Sequence, residues 1–401
     1  MTGGAARKKT VRDIDVNGKR VLVRVDYNVP LQPESGNVLD DTRIKATLPT
    51  IEYLREKGAK LILASHLGRP KGKREPSLSL SRVGERLAEL LGSPVKTTSC
   101  CCGPEVQEAA HSLEPGEVLL LENVRFHAEE EANDREYAKA LASLAQVYVN
   151  DAFGAAHRAH ASTEGVARYL PAVAGLLMAK ELEFLGRAME EVERPCAAII
   201  GGAKISTKME ALQSLLERAD KLLIGGGLAN TFLKAEGFSV GESLVEDDFL
   251  ERAQRVMEQA KEKRVLLLLP TDVIVADKFA ADAQAKRVSI KDVPEGWRIM
   301  DVGEMTVDVF TKALEGCKTV IWNGPMGVIE FDAFAHGSHR LAGVVANLKG
   351  ATTILGGGET AAVVEQLGIA GRFSHVSTGG GAALELLEGR ELPGVAALAD
   401  A

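Results

Sequence analysis

The chain has 401 residues, of which 45% are hydrophobic and 26% charged, as in a globular protein of about two or three domains. Its net charge of −8 argues against a general nucleic-acid-binding protein, although a local basic pocket could still bind a small anion. No apolar run reaches the ~18 residues that span a bilayer, and no apolar stretch follows the N-terminal basic residues as in a secretory signal. We therefore expect a cytoplasmic protein that binds neither nucleic acid nor a membrane.

Short apolar runs alternate with amphipathic helical patterns along the whole chain. The strand-like runs are, in chain order, Val21–Tyr27, Lys60–Ser65, Val118–Glu122, Val147–Asn150, Ala197–Ile200, Lys221–Ile224, Val265–Leu269, Thr319–Trp322, Thr352–Leu355 and His375–Ser377. Helical patterns include Leu80–Leu91, Asp134–Leu144, Ser206–Ala219 with Ser206 as its N-cap, Asp247–Lys261 and Glu359–Leu367. Runs rich in Val, Ile and Leu are typical of parallel strands buried on both faces, so the pattern predicts an α/β protein.

These strand-like runs are too many for one open sheet. We predict two Rossmann-like domains, each a mainly parallel sheet flanked by helices, with a hinge and a cleft between them. The predicted bounds are residues 1–180, a hinge helix over 181–194, and residues 195–388. The hinge ends at Arg194-Pro195 because proline disfavours a helical conformation in the residue before it.

Charged and polar residues follow the strand-like runs of the N-terminal half. They include Asp26, Tyr27 and Asn28, Ser65–Pro70, Arg125, and Arg158 beside His157, with Arg43 further along the first loop. In doubly wound sheets, ligands bind outside the carboxyl ends of the strands. Because guanidinium groups bind phosphate and carboxylate in a bidentate manner, four arginines at this edge predict a small substrate with several negative charges.

Glycine clusters take the same positions in the C-terminal half. They are Gly201-Gly202 with Lys204 and Lys208 after them, Gly225–Gly227, Gly324–Gly327, Gly356–Gly358 and Gly379–Gly381. Glycine lets backbone N–H groups approach phosphate, and a helix N-terminus favours negative charge. Several such clusters, one of which carries two lysines, predict a site for nucleotide phosphates.

Two further classes of protein fit parts of this pattern. The chain lacks the G-x-x-x-x-G-K-[ST] motif of a P-loop kinase, but Gly356–Ala361 matches G-x-G-x-x-A directly after a strand. A dinucleotide-dependent oxidoreductase is therefore an alternative, although the next strand-like run lacks the acidic residue that would hold a ribose. A non-enzymatic ligand-binding module would explain the basic edge but not the two lysines.

Three consecutive cysteines, Cys100–Cys102, invite a metal-site interpretation, and Cys196 and Cys317 complete the five cysteines. Adjacent residues cannot surround a tetrahedral ion without further ligands, and no His/Cys pair lies nearby at zinc-finger spacing. We therefore expect reduced thiols, as is usual in the cytoplasm.

The motifs together resemble the phosphoglycerate kinase family over almost the whole chain. The matching stretches, in the order of the family, are Arg24–Pro30, Ser65–Pro70, Leu121–Phe126, Asn150–Ser162, Gly201–Lys208, Trp322–Glu330, Gly356–Ala361 and Val376–Glu388. The resemblance implies reversible phosphoryl transfer from 1,3-bisphosphoglycerate to MgADP, giving 3-phosphoglycerate and MgATP. It also implies a monomer in which the N-terminal domain binds the glycerate and the C-terminal domain binds the nucleotide. The tail, residues 389–401, would return to the N-terminal domain.

The resemblance also assigns roles to individual residues. It implies that Arg43, Lys204 and Lys208 act in catalysis. The glycerate would be held by Asp26, Tyr27, Asn28, Arg43, His66, Leu67, Gly68, Arg69, Arg125 and Arg158. The nucleotide would be held by Lys208, Gly303, Asn323, Gly324, Glu330, Gly356, Gly357, Gly358, Glu359 and Thr360.

One position departs from the family pattern. The family usually has Asp after the Gly-Gly-Gly triplet, where this chain has Glu359. That carboxylate normally meets the Mg²⁺ of the nucleotide, and Glu359 is one methylene longer. We predict that Glu359 still serves as the metal ligand.

Overall fold

The computed structural model describes residues 7–190 and 192–401, and of residues 187–190 it describes the backbone alone. The first six residues of the predicted N-terminal domain and Glu191 of the predicted hinge 181–194 lie outside the described residues. The chain forms two compact units. The first runs up to Glu183 and also contains Glu391–Ala401, and the second is Phe184–Arg390.

The first unit contains a six-stranded parallel sheet with the strand order β3-β4-β2-β1-β5-β6. Its strands are β1 (Arg20–Arg24), β2 (Lys60–Ala64), β3 (Val95–Thr97), β4 (Val118–Leu120), β5 (Val147–Asn150) and β6 (Ala172–Ala174). Its helices are α1 (Thr42–Glu56), α2 (Ser81–Leu91), α3 (Pro104–His111), α4 (Ala128–Glu131), α5 (Arg135–Ala142) and α6 (Leu176–Glu190), which continues into the second unit.

Strand register places the ends of the central strands at one level. Arg24 of β1 pairs with Ala64 of β2 on one side and with Asn150 of β5 on the other. The loops that leave these strands therefore begin side by side at one edge of the sheet.

The second unit contains another six-stranded parallel sheet, with the order β15-β14-β13-β7-β8-β9. Its strands are β7 (Cys196–Ile200), β8 (Lys221–Ile224), β9 (Leu266–Leu268), β13 (Thr319–Asn323), β14 (Thr352–Gly356) and β15 (His375–Val376). Its helices are α7 (Met209–Leu216), α8 (Gly226–Ala235), α9 (Leu250–Glu262), α10 (Glu304–Leu314), α11 (His336–Ala346), α12 (Gly358–Gln366) and α13 (Gly381–Leu387). Two parallel sheets with flanking helices confirm the predicted fold class.

A small antiparallel sheet in the second unit was not predicted. It has the order β11-β10-β12 and consists of β10 (Asp272–Ala276), β11 (Ala285–Ser289) and β12 (Arg298–Val302). β11 is mostly exposed and carries lysine and arginine, so it lacks the apolar run that marks a buried strand. The short strands β3 and β6 were missed as well. β3 contains a single apolar residue, Val95, and β6 is a three-residue Ala-Val-Ala segment, so neither forms a marked Val/Ile/Leu run.

The predicted start of one helix was wrong. We predicted Ser206 as an N-cap, but α7 begins at Met209. The hydroxyl of Ser206 instead donates to Glu246 Oε1 at 2.6 Å, and the backbone N–H of Lys208 donates to the carbonyl of Ile205. The residues before α7 therefore form a turn rather than a first helical turn.

The C-terminal segment Glu391–Ala401, which includes α14 (Pro393–Ala396), is part of the first unit. The Lys9 N–H donates to the carbonyl of Ala399 at 2.8 Å, and the Lys8 ammonium lies 2.7 Å from Asp400. Among the described residues, no helix combines the length and apolar character needed to cross a membrane.

Candidate active site

The predicted anion-binding residues of the first unit lie in loops at one edge of its sheet. β1 leads into Asp26, β2 into His66, the turn after β4 holds Arg125, and the segment after β5 leads to Arg158. These four strands are neighbours in the sheet and all run parallel, so their loops share one edge. The strand order of the sheet thus brings the predicted residues to the same edge.

Arg43 and Asp26 form an ion pair at this edge. Arg43 Nη1 lies 2.9 Å from Asp26 Oδ2, and the Asn28 N–H donates to Asp26 Oδ1 at 3.2 Å. The Asn28 Oδ1 accepts a hydrogen bond from the Gly68 N–H at 2.9 Å. Arg43 stands in the first turn of α1 and is half-buried, so its guanidinium is held in place before any ligand binds.

His66 is a buried histidine among the positively charged arginines of this edge. It is 5% exposed, and Arg24 Nη2 lies 3.1 Å from its Nδ1. Burial is the main cause that holds the pKa of His66 well below its ordinary value. The charges of four arginines add to this effect, namely Arg24, Arg125, Arg43 and Arg158. We call Arg24, Arg43, His66, Arg125 and Arg158 the basic cluster.

Arg24 was not predicted as a site residue. It is the last residue of β1, it is 1% exposed, and its Nε donates to Ser162 Oγ at 2.7 Å. The same Ser162 donates to the buried Glu130 carboxylate, so Arg24 and Glu130 are joined through one hydroxyl. The sequence signal was an arginine inside the strand-like run Val21–Tyr27, at a position that a buried strand normally gives to an aliphatic side chain.

Arg125 is a buried arginine that is held in place by two contacts. It is 4% exposed, its Nη1 donates to the carbonyl of Gly68 at 2.8 Å, and its Nε lies 3.3 Å from Glu131. Burial first, and then the charge of Arg158, lower the pKa of Arg125 to about 10. Like charges that disfavour one another in this way are stabilised by an anion bound between them.

The remaining predicted residues of the first unit differ in their accessibility. Arg69 is exposed and makes no hydrogen bond or ion pair within the described part of the chain. Tyr27 and Leu67 lie in the core at 0% and 2% exposure, and the Tyr27 hydroxyl lies 3.0 Å from Thr47 Oγ1. Any contact of Tyr27 or Leu67 with a ligand would therefore use the main chain.

Asp151 lies just below this edge and carries a buried carboxyl. Its Oδ1 accepts from the backbone N–H groups of Leu177 and Met178, at 2.9 and 3.1 Å. Burial raises the pKa of Asp151 to about 6. The folded state therefore holds this proton more tightly than the unfolded state, and the resulting stabilisation is lost as the pH rises through about 6.

We expect Asp151→Asn to remove this part of the pH dependence. The amide oxygen keeps both bonds to α6, and the amide nitrogen replaces Oδ2, which has no hydrogen-bond partner among the described residues. Between about pH 4 and pH 8 the unfolding free energy of the parent should fall by about 2 kcal/mol relative to the variant. Denaturant titrations across this range measure the difference. Asp40→Asn, at an exposed carboxyl whose Oδ1 accepts from Thr42, should leave the profile unchanged.

Three of the glycine clusters of the second unit, Gly201-Gly202, Gly225–Gly227 and Gly324–Gly327, pack against one another. A Cβ on Gly201 would lie 2.1 Å from the Pro325 carbonyl oxygen, and one on Gly226 would lie 2.6 Å from the Gly202 nitrogen. The N–H groups of Gly202 and Gly226 donate to the carbonyls of Pro325 and Met326. Close backbone contact between these loops therefore requires glycine at positions 201 and 226, whether or not a phosphate binds beside them.

Lys208 meets the end of β13. Its ammonium donates to Asn323 Oδ1, and burial lowers its pKa while the charges of Glu359 and Glu388 raise it. The Asn323 Nδ2 is buried and has no partner among the described residues. Lys204 is exposed and lies near enough to Glu246 to lower the pKa of that carboxyl, although hydrogen bonds from Ser206 contribute more.

A cavity of about 250 Å³ lies in the second unit beside these loops. It is lined by apolar side chains such as Leu244, Val273 and Met300, and its polar lining includes Glu330 and Glu359. Such a mixture of apolar walls and few polar groups is usual for a small-molecule site.

The other predicted nucleotide-binding residues lie around this cavity in different ways. Gly303 is buried against Asp272 and does not line it. The Gly324 N–H donates to Thr360 Oγ1 at 2.8 Å, which ties the end of β13 to α12. Gly356 ends β14, and Gly357 and Gly358 lead into α12, whose N-terminus carries Glu359.

The two units therefore define an α/β protein with two parallel sheets, in which the basic cluster lies at the edge of one sheet and two lysines and a cavity belong to the unit of the other. A family model described as phosphoglycerate kinase matches residues 11–390. The chain belongs to the phosphoglycerate kinase family, and its activity is that of a phosphotransferase with a carboxyl group as acceptor. Membership of this family excludes the two alternatives, a dinucleotide-dependent oxidoreductase and a non-enzymatic ligand-binding module.

Individual relatives agree with this over nearly the full length. Phosphoglycerate kinase of Moorella thermoacetica is 58% identical over 98% of this chain and 99% of the relative. That of Synechococcus elongatus is 62% identical over 96% of this chain and 97% of the relative. The structure of phosphoglycerate kinase from Coxiella burnetii superposes with a TM-score of 0.86 and 42% identity, covering 97% of this chain and 98% of that one.

Proposed function

We propose that the basic cluster binds the glycerate substrate and that the second-unit cavity, with Lys204 and Lys208, binds ADP or ATP. The observation that carries the proposal is the convergence of four arginines on the buried His66, with Arg24 Nη2 3.1 Å from its Nδ1. Such an arrangement is costly without a polyanion and favourable with one. 1,3-Bisphosphoglycerate and 3-phosphoglycerate supply that charge.

Within the glycerate site, the roles follow from what each group can still donate. We assign Arg125 and Arg158 to the phosphate, and Arg24 and His66, which contact each other in the buried part of the cluster, to positioning. Arg69 is exposed and free to close on the ligand. We assign Asp26 and Asn28 to the hydroxyl and carboxyl end of the glycerate. Hydrogen bonds already fix both side chains: Asp26 accepts from the Asn28 N–H, and Asn28 accepts from the Gly68 N–H.

The chemistry asks for positioning and charge neutralisation. In the direction of ATP use, the acceptor is a carboxylate that is ionised at neutral pH, so no general base has to remove a proton. The transferred group passes through a loose anionic transition state that cations stabilise. We assign Arg43 to this group from the glycerate side and Lys208 and Lys204 from the nucleotide side.

Mg²⁺ would accompany the nucleotide, and the residues present fit such an ion. Mg²⁺ prefers one or two carboxylates together with phosphate oxygens and waters. Glu359 is exposed, lies on the cavity wall at the start of α12 and is near enough to Lys208 to act on it electrostatically. When bound, the ion would neutralise phosphate charge, and we propose that Glu359 is its protein ligand.

We expect Glu359→Gln to raise the Mg²⁺ concentration needed for half-maximal activity at fixed nucleotide. Glutamine preserves the shape of the side chain and removes its charge, so a metal ligand is weakened while the helix start is kept. Initial rates over a Mg²⁺ series measure the shift. Glu365→Gln, at an exposed carboxyl on the same helix, is the matched control and should leave the requirement unchanged. A small loss of stability with an unchanged Mg²⁺ requirement would show that Glu359 only caps the helix.

Formation of ATP from ADP and 1,3-bisphosphoglycerate, followed at limiting protein, tests the proposed reaction as a whole.

With the two substrates assigned to separate units, we also propose a closing motion about the hinge 181–194. Contraction in small-angle scattering with both ligands present, and not with either alone, is the expected sign. A monomeric state and a cytoplasmic location remain predictions.

A further inference from the structure

Three side chains outside the basic cluster bring together the donor atoms of a metal site. Cys100 and Cys102 lie in the loop after β3, and His127 lies 25 residues further along, just before α4. The two sulfur atoms and the imidazole nitrogen all lie within 4.8 Å of one another, and all three residues are half-buried. The arrangement is not recognisable from sequence spacing, because His127 is separated from Cys102 by 25 residues.

The topology of the sheet explains why they meet. β3 and β4 are parallel neighbours, with Thr97 opposite Leu120, so the loops that leave them run side by side. The Thr98 hydroxyl donates to the carbonyl of Cys100 at 2.7 Å and holds the turn. Cys101 is fully buried and donates its S–H to the Glu122 carbonyl at 2.9 Å, while its two neighbours are partly exposed beside His127.

The imidazole is also held in position. The His127 ring stacks on Tyr137 with 5.0 Å between centroids and 29° between planes. Its Nε2 lies 3.5 Å from Cys100 Sγ. Glu129 is close enough to both His127 and Cys102 to act on them electrostatically, which adds negative charge beside the three donors.

We propose that Cys100, Cys102 and His127 bind a Zn²⁺ ion, with the fourth coordination position open to water or a small ligand. Two thiolates and an imidazole suit this borderline-soft cation, whereas Mg²⁺ prefers oxygen. With Zn–S of about 2.3 Å and Zn–N of about 2.0–2.1 Å in a tetrahedron, sulfur and nitrogen ligands lie about 3.5 Å apart. The distance between Cys100 Sγ and His127 Nε2 already has this value.

Binding replaces the two thiol protons, which pass to solvent, so affinity rises with pH. The ion would join the loop after β3 to the segment that carries Arg125, two residues before His127. The proposal rests on these side chains alone and does not depend on the proposed function.

The test uses the full chain, stripped with a chelator and kept reduced with a phosphine. Zn²⁺ is titrated in competition with a chromophoric chelator, and Co²⁺ serves as a spectroscopic probe. We expect one ion per chain and a thiolate-to-cobalt charge-transfer band. The double variant Cys100→Ser, Cys102→Ser should bind more than about 100-fold more weakly, since even changes outside the ligand shell cost about 10–100-fold. His127→Ala should bind more weakly and change the cobalt spectrum.

Cys101→Ser is the matched control, because serine can make the same hydrogen bond to Glu122 and leaves the three donors in place. It should bind Zn²⁺ like the parent. Failure of the reduced parent to bind, or equal binding by the double variant, would overturn the proposal. If the double variant does not fold, mass-spectrometric mapping of alkylation in the parent decides. Zn²⁺ must protect Cys100 and Cys102, and unchanged alkylation at both would overturn the site.

Discussion

Arg43→Ala should lower kcat by about 10²- to 10³-fold while KM for the glycerate substrate changes little. Groups that stabilise charge developing in a transition state lose about this much when they are removed. The half-buried guanidinium of Arg43 is held by Asp26 at 2.9 Å, so its charge is in place before the reaction begins. Steady-state kinetics with both substrates varied separate the two parameters.

Two further variants sharpen this test. Arg43→Lys keeps the charge but loses the planar fork, so it should fall between the parent and the alanine variant. Lys45→Ala lies on the same helix, where its exposed ammonium pairs with Asp41, and should leave kcat almost unchanged. A rise in KM alone in Arg43→Ala would show that Arg43 holds the ground-state substrate and does not act in the transfer.

Lys208→Met should also lower kcat by about 10²- to 10³-fold, because methionine has a similar length and carries no charge. The ammonium of Lys208 is placed by Asn323 at the end of β13, beside the start of α12. Single-turnover measurements with saturating nucleotide distinguish a slower transfer from weaker binding. The exposed Lys261, changed to Met, is the control and should retain full activity.

The charge of Lys208 also predicts a pH effect. Burial lowers the pKa of Lys208, so the free enzyme loses this positive charge at a lower pH than an ordinary lysine would. We expect kcat/KM to fall at alkaline pH as that charge is lost. In Lys208→Arg this fall should shift to higher pH, since arginine stays protonated. An alkaline limb that is identical in Lys208→Arg would assign it to another group.

The fold class could be predicted from the amino-acid sequence alone. Buried parallel strands appear as continuous apolar runs, so all six strands of the second sheet and four of the first were predicted near their observed positions. The residues that directly follow neighbouring parallel strands lie at the same edge of the sheet. For this reason the sequence predicts that Asp26, His66, Arg125 and Arg158 lie near one another.

The tertiary structure decided what depends on neighbours distant in the chain. In the sequence Arg24 is only one residue of a strand-like run. Its contact with His66 is what makes it a member of the basic cluster. The glycines at 201 and 226 predicted a phosphate site, and the structure adds that facing carbonyl and amide groups leave no room there for a side chain. His127 reaches Cys100 only because β3 and β4 are adjacent. Periodicity and spacing report what a residue's own segment requires, whereas contacts between segments arise from packing and leave no pattern in one sequence.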